Sequence, residues 1–285
     1  MHGERVRAVL FYSSAYLAVI AAAEVLLVQL LLSLPPSPAP LVVGLVTFAV
    51  YANDRLAEPE SDALSNPDRT AFVRRHGRLL YVLAALAYGL AVALSVLGGP
   101  VAFALALLPG VAWLGYAVGW DPIERSSVGR IKEVLFVNSV LVAAAWSLTV
   151  VCLPVAFADA GFGPATGVLV AYFLLATFVN AEVANAGDVE TDREIGAATL
   201  PVVLGVGRAR QVLYGVTLVV AGVLGAAVAV GYLRTGTALA LAVGLVSLAA
   251  VVGCLGRTDR NGLLTVAAEC TRLPVLAVVV ILALT

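Results

Sequence analysis

Two stretches of acidic side chains interrupt an otherwise apolar chain. The first, NDRLAEPESD at positions 53–62, places Asp54, Glu58 and Asp62 four residues apart. In a helix these three side chains would drift only about 80° around the axis, so they would form a ladder of carboxylates. Such a ladder is repulsive and costs desolvation near hydrocarbon, and a bound cation relieves both effects. The spacing therefore predicts a cation site.

The second stretch, NAEVANAGDVETDRE at 180–194, carries Asn185, Asp188 and Asp192. At 100° per residue these side chains would share a helix face about 60° wide. Oxygen ligands without histidine or thiolate favour Mg²⁺, which takes one or two carboxylates, several waters and substrate phosphates. We therefore expect both stretches to bind Mg²⁺ with a diphosphate. The predicted metal ligands are Asp54, Glu58, Asp62, Asn185, Asp188 and Asp192.

Membrane helices must position these stretches, because the chain is 61% hydrophobic and only 12% charged, with a mean hydropathy of +1.01. Soluble domains carry roughly twice that charged fraction. A net charge of -1 gives no sign of a nucleic-acid partner, so the expected partners are the lipid bilayer and lipophilic molecules. Cys152, Cys254 and Cys270 lie far apart in apolar stretches and are predicted to be small buried hydrophobes.

Apolar windows long enough to cross a bilayer recur along the chain. They lie at 9–33, 41–57, 79–98, 100–119, 134–155, 165–187, 211–233, 237–256 and 263–284. The first window is too long for the apolar region of a signal peptide. The predicted fold is an all-α integral membrane protein, one domain over residues 1–285, with nine transmembrane helices in one bundle around a central cavity open to the cytoplasmic side.

Basic residues predict how this bundle is oriented. Fifteen of the 17 Lys and Arg residues lie in alternate connections, which also carry both acidic stretches. By the positive-inside bias, these connections are cytoplasmic. We therefore expect a multi-pass protein of the plasma membrane, with the N-terminus cytoplasmic and the C-terminus outside, in which the two acidic stretches can face each other.

Five polar residues within the windows remain ambiguous. Asn180 and Glu182 fit the site and interhelical hydrogen bonding equally well. Glu269 and Arg272, three residues apart, are expected to pair within one helix. Neither they nor Glu24 are placed in the site.

Transfer of a prenyl chain is a reaction that takes place within a membrane and uses both Mg²⁺ and a diphosphate. At the residues named above, the sequence resembles the UbiA-type intramembrane prenyltransferases. The resemblance covers nearly the whole chain. The first motif is matched by Asn53, Asp54, Glu58, Asp62 and SNPDR at 65–69; the second is matched by Asn185, Asp188, Asp192 and GAATLPVVLG at 196–205. Ala57 stands where the family has a carboxylate, and Asn185 replaces the first acid of the second motif.

The resemblance implies specific roles. Asp54, Asp188, Asp192, Lys132 and Tyr116 would be catalytic, while Asn53, Arg69, Arg130, Asn138, Asn185 and Arg193 would bind substrate. Bound Mg²⁺ would assist departure of the diphosphate from a prenyl diphosphate donor, and a hydrophobic acceptor would attack the allylic cation. Tyr51, Trp113, Tyr116 and Tyr172 are candidates to stabilise that cation.

Other functions stay open at this point. A transporter could use intramembrane polar residues for coupling, and a divergent acidic site could bind lipid without catalysis. The CDP-alcohol phosphotransferases also carry Asp ladders, but residues 184–192 supply only a fragment of their pattern. The acceptor is equally open among an aromatic quinone precursor, an isoprenoid glycerol phosphate, a porphyrin-type ring and a carotenoid end.

Overall fold

The computed structural model describes residues 9–57, 67–117, 137–194, 196–258 and 260–284. Every regular element in these ranges is helical, which confirms the predicted all-α class for the described residues. The helices are α1 (Ala15–Leu31), α2 (Ala39–Ala57), α3 (Pro67–Ser95), α4 (Gly99–Ala117), α5 (Val137–Phe157), α6 (Pro164–Asn185), α7 (Val189–Glu194), α8 (Leu200–Leu204), α9 (Val206–Ala229), α10 (Thr235–Cys254), α11 (Asn261–Glu269) and α12 (Leu273–Leu284).

Six helical segments of the described chain are long and apolar enough to cross a membrane. They are Pro67–Gly115, Ser139–Phe157, Pro164–Asn185, Val206–Ala229, Thr235–Cys254 and Asn261–Leu282. The first of these includes two predicted windows, because α3 and α4 are joined only by the 3₁₀ turn Val96–Gly98. Helix α1 is apolar but shorter, at 17 residues.

Two predicted windows are interrupted in the structure. The first breaks at Ser13 and Ser14, where Ser14 has a φ of 65°, so α1 begins only at Ala15. The last breaks at the 3₁₀ turn Cys270–Arg272, between α11 and α12. Pro274 follows this turn and has no backbone N–H to continue the helical hydrogen bonding.

The long helices follow one another around a closed ring. Helix α1 packs on α2, α2 on α3 and α4, α4 on α5, and α5 on α6. The ring continues from α6 to α9, α10 and α12, and α12 packs back on α1. Its largest apolar cluster, which includes Val28, Val42, Leu153 and Phe173, fills the half of the ring away from the acidic stretches. A cavity therefore has room to form in the other half.

The cysteine prediction is only partly right. Cys152 on α5 is buried and Cys270 is half-buried, but Cys254 at the end of α10 is exposed. Its side chain points out of the bundle, so the expectation of a buried hydrophobe is wrong there.

Candidate active site

The two acidic stretches meet in one cavity of about 400 Å³. Asp54, near the end of α2, and Asn185, the last residue of α6, both line its wall. Further lining residues come from α1, α3, α4, α5 and α11, so the cavity lies inside the ring. Below the acidic level its wall includes Leu17, Ile20 and Val142, which are apolar.

Asp54 is held by a tryptophan on the facing helix. The indole Nε1 of Trp113 on α4 donates a hydrogen bond to Asp54 Oδ1 at 3.2 Å. Two cationic side chains, Arg55 and Arg69, line the same cavity, and Arg55 donates a hydrogen bond to Ser14. This end of the cavity therefore offers carboxylate oxygens and guanidinium groups together, a combination suited to a metal-bound phosphate.

Asn53 does not join this group. Its Nδ2 donates a hydrogen bond to the backbone carbonyl of Ala49 at 2.9 Å, and its side chain is absent from the cavity wall among the described residues. The side chain of Asn53 thus lies apart from that of Asp54 at the cavity wall, and its contact with substrate stays a prediction.

Asn185 is oriented by a chain of hydrogen bonds. Its Nδ2 donates to Ser139 Oγ at 3.4 Å, and Ser139 Oγ donates to Glu182 Oε1 at 2.6 Å. The other oxygen of Glu182 accepts the backbone N–H of Leu200 at 3.0 Å. Glu182 is fully buried, so it connects α5, α6 and the start of α8. One of the two roles left open for Glu182, interhelical hydrogen bonding, is the one observed.

The second motif does not form one continuous helix, so the predicted single face for Asn185, Asp188 and Asp192 is wrong. Helix α6 ends at Asn185, and α7 begins at Val189. The N–H of Gly187 bonds to Ala184 O at 2.8 Å, and the N–H of Asp192 bonds to Asp188 O at 2.8 Å. Glycine disfavours a helix interior and aspartate favours a helix start, which together explain the break.

The remaining acids of this motif lie just outside the cavity. Asp188 is exposed in the turn, Asp192 is half-buried on α7, and Arg193 is exposed. Thr199 Oγ1 donates a hydrogen bond to Asp192 Oδ2 at 3.2 Å. Burial raises the pKa of Asp192 to about 6; the Thr199 hydrogen bond opposes this effect and the nearby Asp188 adds to it. None of the three side chains is part of the described cavity wall.

Several predicted site residues cannot be placed. Glu58, Asp62, Arg130 and Lys132 lie outside the described residues. Tyr116 and Asn138 fall within α4 and α5, but their side chains also lie outside the described part. Within that part, no group of three or more His, Cys, Asp or Glu side chains converges as a metal site.

The cavity wall includes three charged residues that were not predicted to belong to the site. They are Glu24, Glu269 and Arg272. The predicted pair of Glu269 with Arg272 is wrong, because Arg272 forms its ion pair with Glu24. Charged residues at membrane depth are functional candidates by default, and that signal was available in the sequence. The spacing of Glu269 and Arg272 predicts a pair within one helix, but sequence spacing does not show that Glu24, from a distant helix, lies closer to Arg272.

Two of the four aromatic residues predicted to stabilise the cation line the cavity. Tyr51 and Trp113 line the cavity, and Trp146, which was not predicted, joins them with its ring centroid 6.3 Å from that of Tyr51. Tyr172 does not line the cavity: it is 1% exposed and donates a hydrogen bond to Leu241 O at 3.3 Å. Its predicted role beside a cation is therefore wrong, and it serves in packing between α6 and α10.

Known proteins share this architecture. A UbiA homologue from Aeropyrum pernix K1, solved in its apo form, has 17% sequence identity and a TM-score of 0.69, over 95% of this chain and 98% of that chain. A homologue from Archaeoglobus fulgidus, bound to DMAPP and Mg²⁺, has 13% identity and a TM-score of 0.62, over 96% and 99%. A digeranylgeranylglyceryl phosphate synthase has 12% identity and a TM-score of 0.64, over 98% of each chain.

At these identities the solved structures establish a shared fold. A comparison with curated proteins found no match. The family itself is identified by sequence: the model of the UbiA prenyltransferase family matches residues 13–266, which is most of the chain. The chain therefore belongs to the UbiA prenyltransferase family and is an enzyme of the prenyltransferase class.

Proposed function

We propose that this protein transfers a prenyl group from a prenyl diphosphate to a lipophilic acceptor within the membrane, in a reaction that depends on Mg²⁺. One observation carries the proposal: Asp54 and Asn185, from two motifs far apart in sequence, line one cavity whose wall continues into apolar side chains. A diphosphate fits the polar end of such a cavity, and an isoprenoid tail fits the apolar part.

The donor set suits Mg²⁺. Asp54 supplies a carboxylate and Asn185 an amide oxygen that accepts no hydrogen bond from a described residue, while Asp188 and Asp192 follow on the adjacent turn and on α7. Glu58 and Asp62 are proposed as further ligands. When bound, Mg²⁺ neutralises charge that develops on the departing diphosphate.

The protein's own side chains complete the diphosphate site. Arg55 and Arg69 line the cavity at the level of Asp54 and can bind phosphate oxygens there. The hydrogen bond from Trp113 holds the Asp54 carboxylate in place. We extend the site to Tyr116, Arg130, Lys132 and Arg193 as diphosphate contacts, and to Asn138 as a substrate contact, on the family resemblance.

The cavity wall can also protect a reactive cation. Tyr51 and Trp146 pack edge to face against each other on the cavity wall, and their rings can stabilise an allylic cation by cation–π attraction. The surrounding apolar side chains exclude water, which would otherwise capture the cation and yield an alcohol.

We further propose that residues 1–285 form one domain of nine membrane-crossing helices in the plasma membrane, with the N-terminus and the cavity mouth on the cytoplasmic side and the C-terminus outside. The concentration of basic residues in alternate connections supports this orientation. The shared cavity supports it too, because the ends of α2 and α6 lie together.

Relatives with the same fold support the donor class. Archaeoglobus fulgidus homologues have been solved with DMAPP and Mg²⁺ and with GPP and Mg²⁺. Another structural relative is a digeranylgeranylglyceryl phosphate synthase. Membership of the family supports the reaction class and says little about the substrate, so the acceptor has to be identified by experiment.

The decisive test is a transfer assay in liposomes. Purified protein is incubated with Mg²⁺, labelled geranylgeranyl diphosphate and a total lipid extract of the source organism. We expect a labelled lipid product and stoichiometric diphosphate, both lost when Mg²⁺ is chelated. Solute uptake without diphosphate release would instead identify a transporter, and lipid binding without either would identify a non-catalytic protein.

A further inference from the structure

A second polar layer lies deeper in the cavity than the diphosphate site. We call it the deep polar layer and define it as Glu24, Asn180, Glu269 and Arg272, all of which line the cavity. Asn180 precedes Asn185 by five residues on α6, which at 1.5 Å per residue places it about 7–8 Å further along the helix. Asn180 is therefore separated along α6 from Asn185, one of the residues proposed to hold Mg²⁺.

Asn180 has unused hydrogen-bonding capacity. Its side chain is 2% exposed, yet neither its Nδ2 nor its Oδ1 has a hydrogen-bond partner in the described chain. The contrast with Glu182, two residues later, is sharp, because that buried carboxylate is bonded through both oxygens. A buried amide without partners is unfavourable, so Asn180 does not act as an interhelical hydrogen-bonding residue here. Its donor and acceptor are free for a ligand in the cavity.

Arg272 and Glu269 add to this capacity. Arg272 pairs with Glu24 and donates a hydrogen bond to Thr177 Oγ1 at 2.9 Å, but its Nε has no partner in the described chain. Glu269, on the neighbouring helix α11, faces the same cavity without a hydrogen-bond or ion-pair partner among the described residues. The layer thus offers both donors and acceptors across the cavity.

The charge of the layer restricts the ligand. The guanidinium of Arg272 is already balanced by the Glu24 carboxylate, and Glu269 contributes no positive charge. Within the deep polar layer, as far as its residues are described, no surplus cation is therefore left to attract a carboxylate or a phosphate; Arg55 and Arg69 belong to the diphosphate site. A neutral hydroxyl fits the arrangement, because it can donate to the Glu269 carboxylate and accept from the Asn180 amide.

We infer that Asn180 and Glu269 form a subsite for the hydroxyl of a neutral, lipophilic acceptor. This inference rests on the proposed function, since it assigns the acceptor class of the same cavity. It disfavours anionic acceptors such as a glycerol phosphate or an aromatic acid. Two hydrogen bonds of ordinary strength correspond to about a tenfold preference for the hydroxyl over the same molecule without it.

The test compares three ligands of one carbon skeleton: phytanol, phytane and phytanic acid. Their affinities are measured in nanodiscs that contain Mg²⁺ and a non-hydrolysable prenyl thiodiphosphate, which fills the donor site. We expect phytanol to bind about tenfold more tightly than phytane, and phytanic acid to bind less tightly than phytanol. Equal affinities for phytanol and phytane would overturn the inference, and the tightest binding by phytanic acid would replace it with an anion site.

Variants connect the preference to the named residues. Asn180→Leu is expected to abolish the preference for phytanol while the melting temperature stays equal to or above that of the wild type, since no protein hydrogen bond is lost. Glu269→Gln is expected to weaken the preference and provides the answer if Asn180→Leu does not fold. Retention of the full preference in either folded variant contradicts the inference.

Two further proteins complete the design. Thr217→Val changes a buried polar residue on α9 whose hydroxyl donates to Leu213 O within its own helix, and it is expected to keep the preference. Asp54→Asn is expected to lose diphosphate release but to keep the preference. If neither the wild type nor any variant transfers a prenyl group, the proposed function fails. The affinities of the wild type for phytanol, phytane and phytanic acid still decide whether the hydroxyl subsite exists.

Discussion

Glu24 on α1 and Arg272, next to α12, form a buried ion pair although 248 positions separate them. Helices α1 and α12 are neighbours where the ring closes, so the pair joins the two ends of the described chain. Trp146 Nε1 donates a further hydrogen bond to Glu24 at 3.2 Å, and the Arg272 guanidinium lies 5.1 Å from the centroid of the Phe173 ring. Side chains from several helices thus surround the Glu24–Arg272 ion pair.

The first prediction concerns the loss of one partner of this pair. Arg272→Met leaves the buried Glu24 carboxylate without its counter-charge, and we expect the free energy of unfolding to fall by about 3–5 kcal/mol. The double variant Glu24→Leu/Arg272→Met removes both charges and is expected to recover much of that loss. Thermal unfolding in detergent measures both; a single variant that is more stable than the double variant would contradict the prediction.

The second prediction concerns the acids of the motifs. Asp54→Ala, Asp188→Ala and Asp192→Ala are each expected to lower prenyl transfer by at least about a hundredfold, because each removes a group that stabilises charge at the diphosphate. The proteins are expected to remain folded. Diphosphate release measures the loss, and Glu190→Ala, which removes an exposed acid from α7, is the matched control. Wild-type turnover by Asp188→Ala would refute the assignment.

The meeting of the two motifs was predictable from sequence. The charged connections alternate with uncharged ones, so Asp54 and the second motif had to emerge on the same side of any bundle. The structure accordingly places Asp54 and Asn185 on one cavity wall. The all-helical fold followed just as directly from the length of the apolar windows.

The internal arrangement of the site was not predictable in the same way. The sequence prediction assumes one continuous helix, with 100° per residue, from Asn185 through Gly187 to Asp192. In the structure α6 ends at Asn185 and α7 begins at Val189, because Gly187 disfavours a helix interior and Asp188 favours a helix start. The partner of Arg272 was missed for a different reason: Glu269 is three residues away, whereas Glu24 comes close only through closure of the ring. Sequence spacing reports local neighbours and is silent about those set by tertiary packing.

The third prediction concerns Glu182, which anchors the segment after the second motif. Glu182→Gln retains one acceptor oxygen, so it cannot accept from both Ser139 and the Leu200 N–H. We expect the free energy of unfolding to fall by about 1–3 kcal/mol, the cost of a buried donor left without a partner. We also expect lower transfer activity, because Ser139 orients Asn185.

A matched control separates this effect from simple loss of charge. Glu194→Gln neutralises an exposed acid at the end of α7, and it is expected to leave both stability and transfer unchanged. Chemical or thermal unfolding and the liposome assay are applied to both variants. Equal stability of Glu182→Gln and Glu194→Gln would contradict the prediction, because it would show that losing one acceptor oxygen of Glu182 costs nothing measurable.

The fourth prediction is a pH dependence set by Asp192, whose raised pKa of about 6 favours the protonated carboxyl in the folded protein. Without metal, ionisation of Asp192 opposes folding, so stability is lowest above pH 6 and rises as the pH falls through 6. Metal binding has the opposite dependence, because a carboxyl must lose its proton to bind Mg²⁺. Below pH 6 the affinity for Mg²⁺ is therefore expected to fall, by up to about tenfold per pH unit.

Thr199 provides the check on this assignment. Its hydroxyl donates to Asp192 and lowers the carboxyl pKa, so Thr199→Val is expected to move the midpoint of the pH dependence to higher pH. Asp192→Asn is expected to remove this component altogether. Calorimetric titration of each protein with Mg²⁺ between pH 5 and pH 8, in the presence of a prenyl thiodiphosphate, gives the midpoints of the wild type and Thr199→Val and shows whether the component is lost in Asp192→Asn. An unchanged midpoint in Thr199→Val would assign the titration to a group other than Asp192, because the hydrogen bond acts on that carboxyl directly.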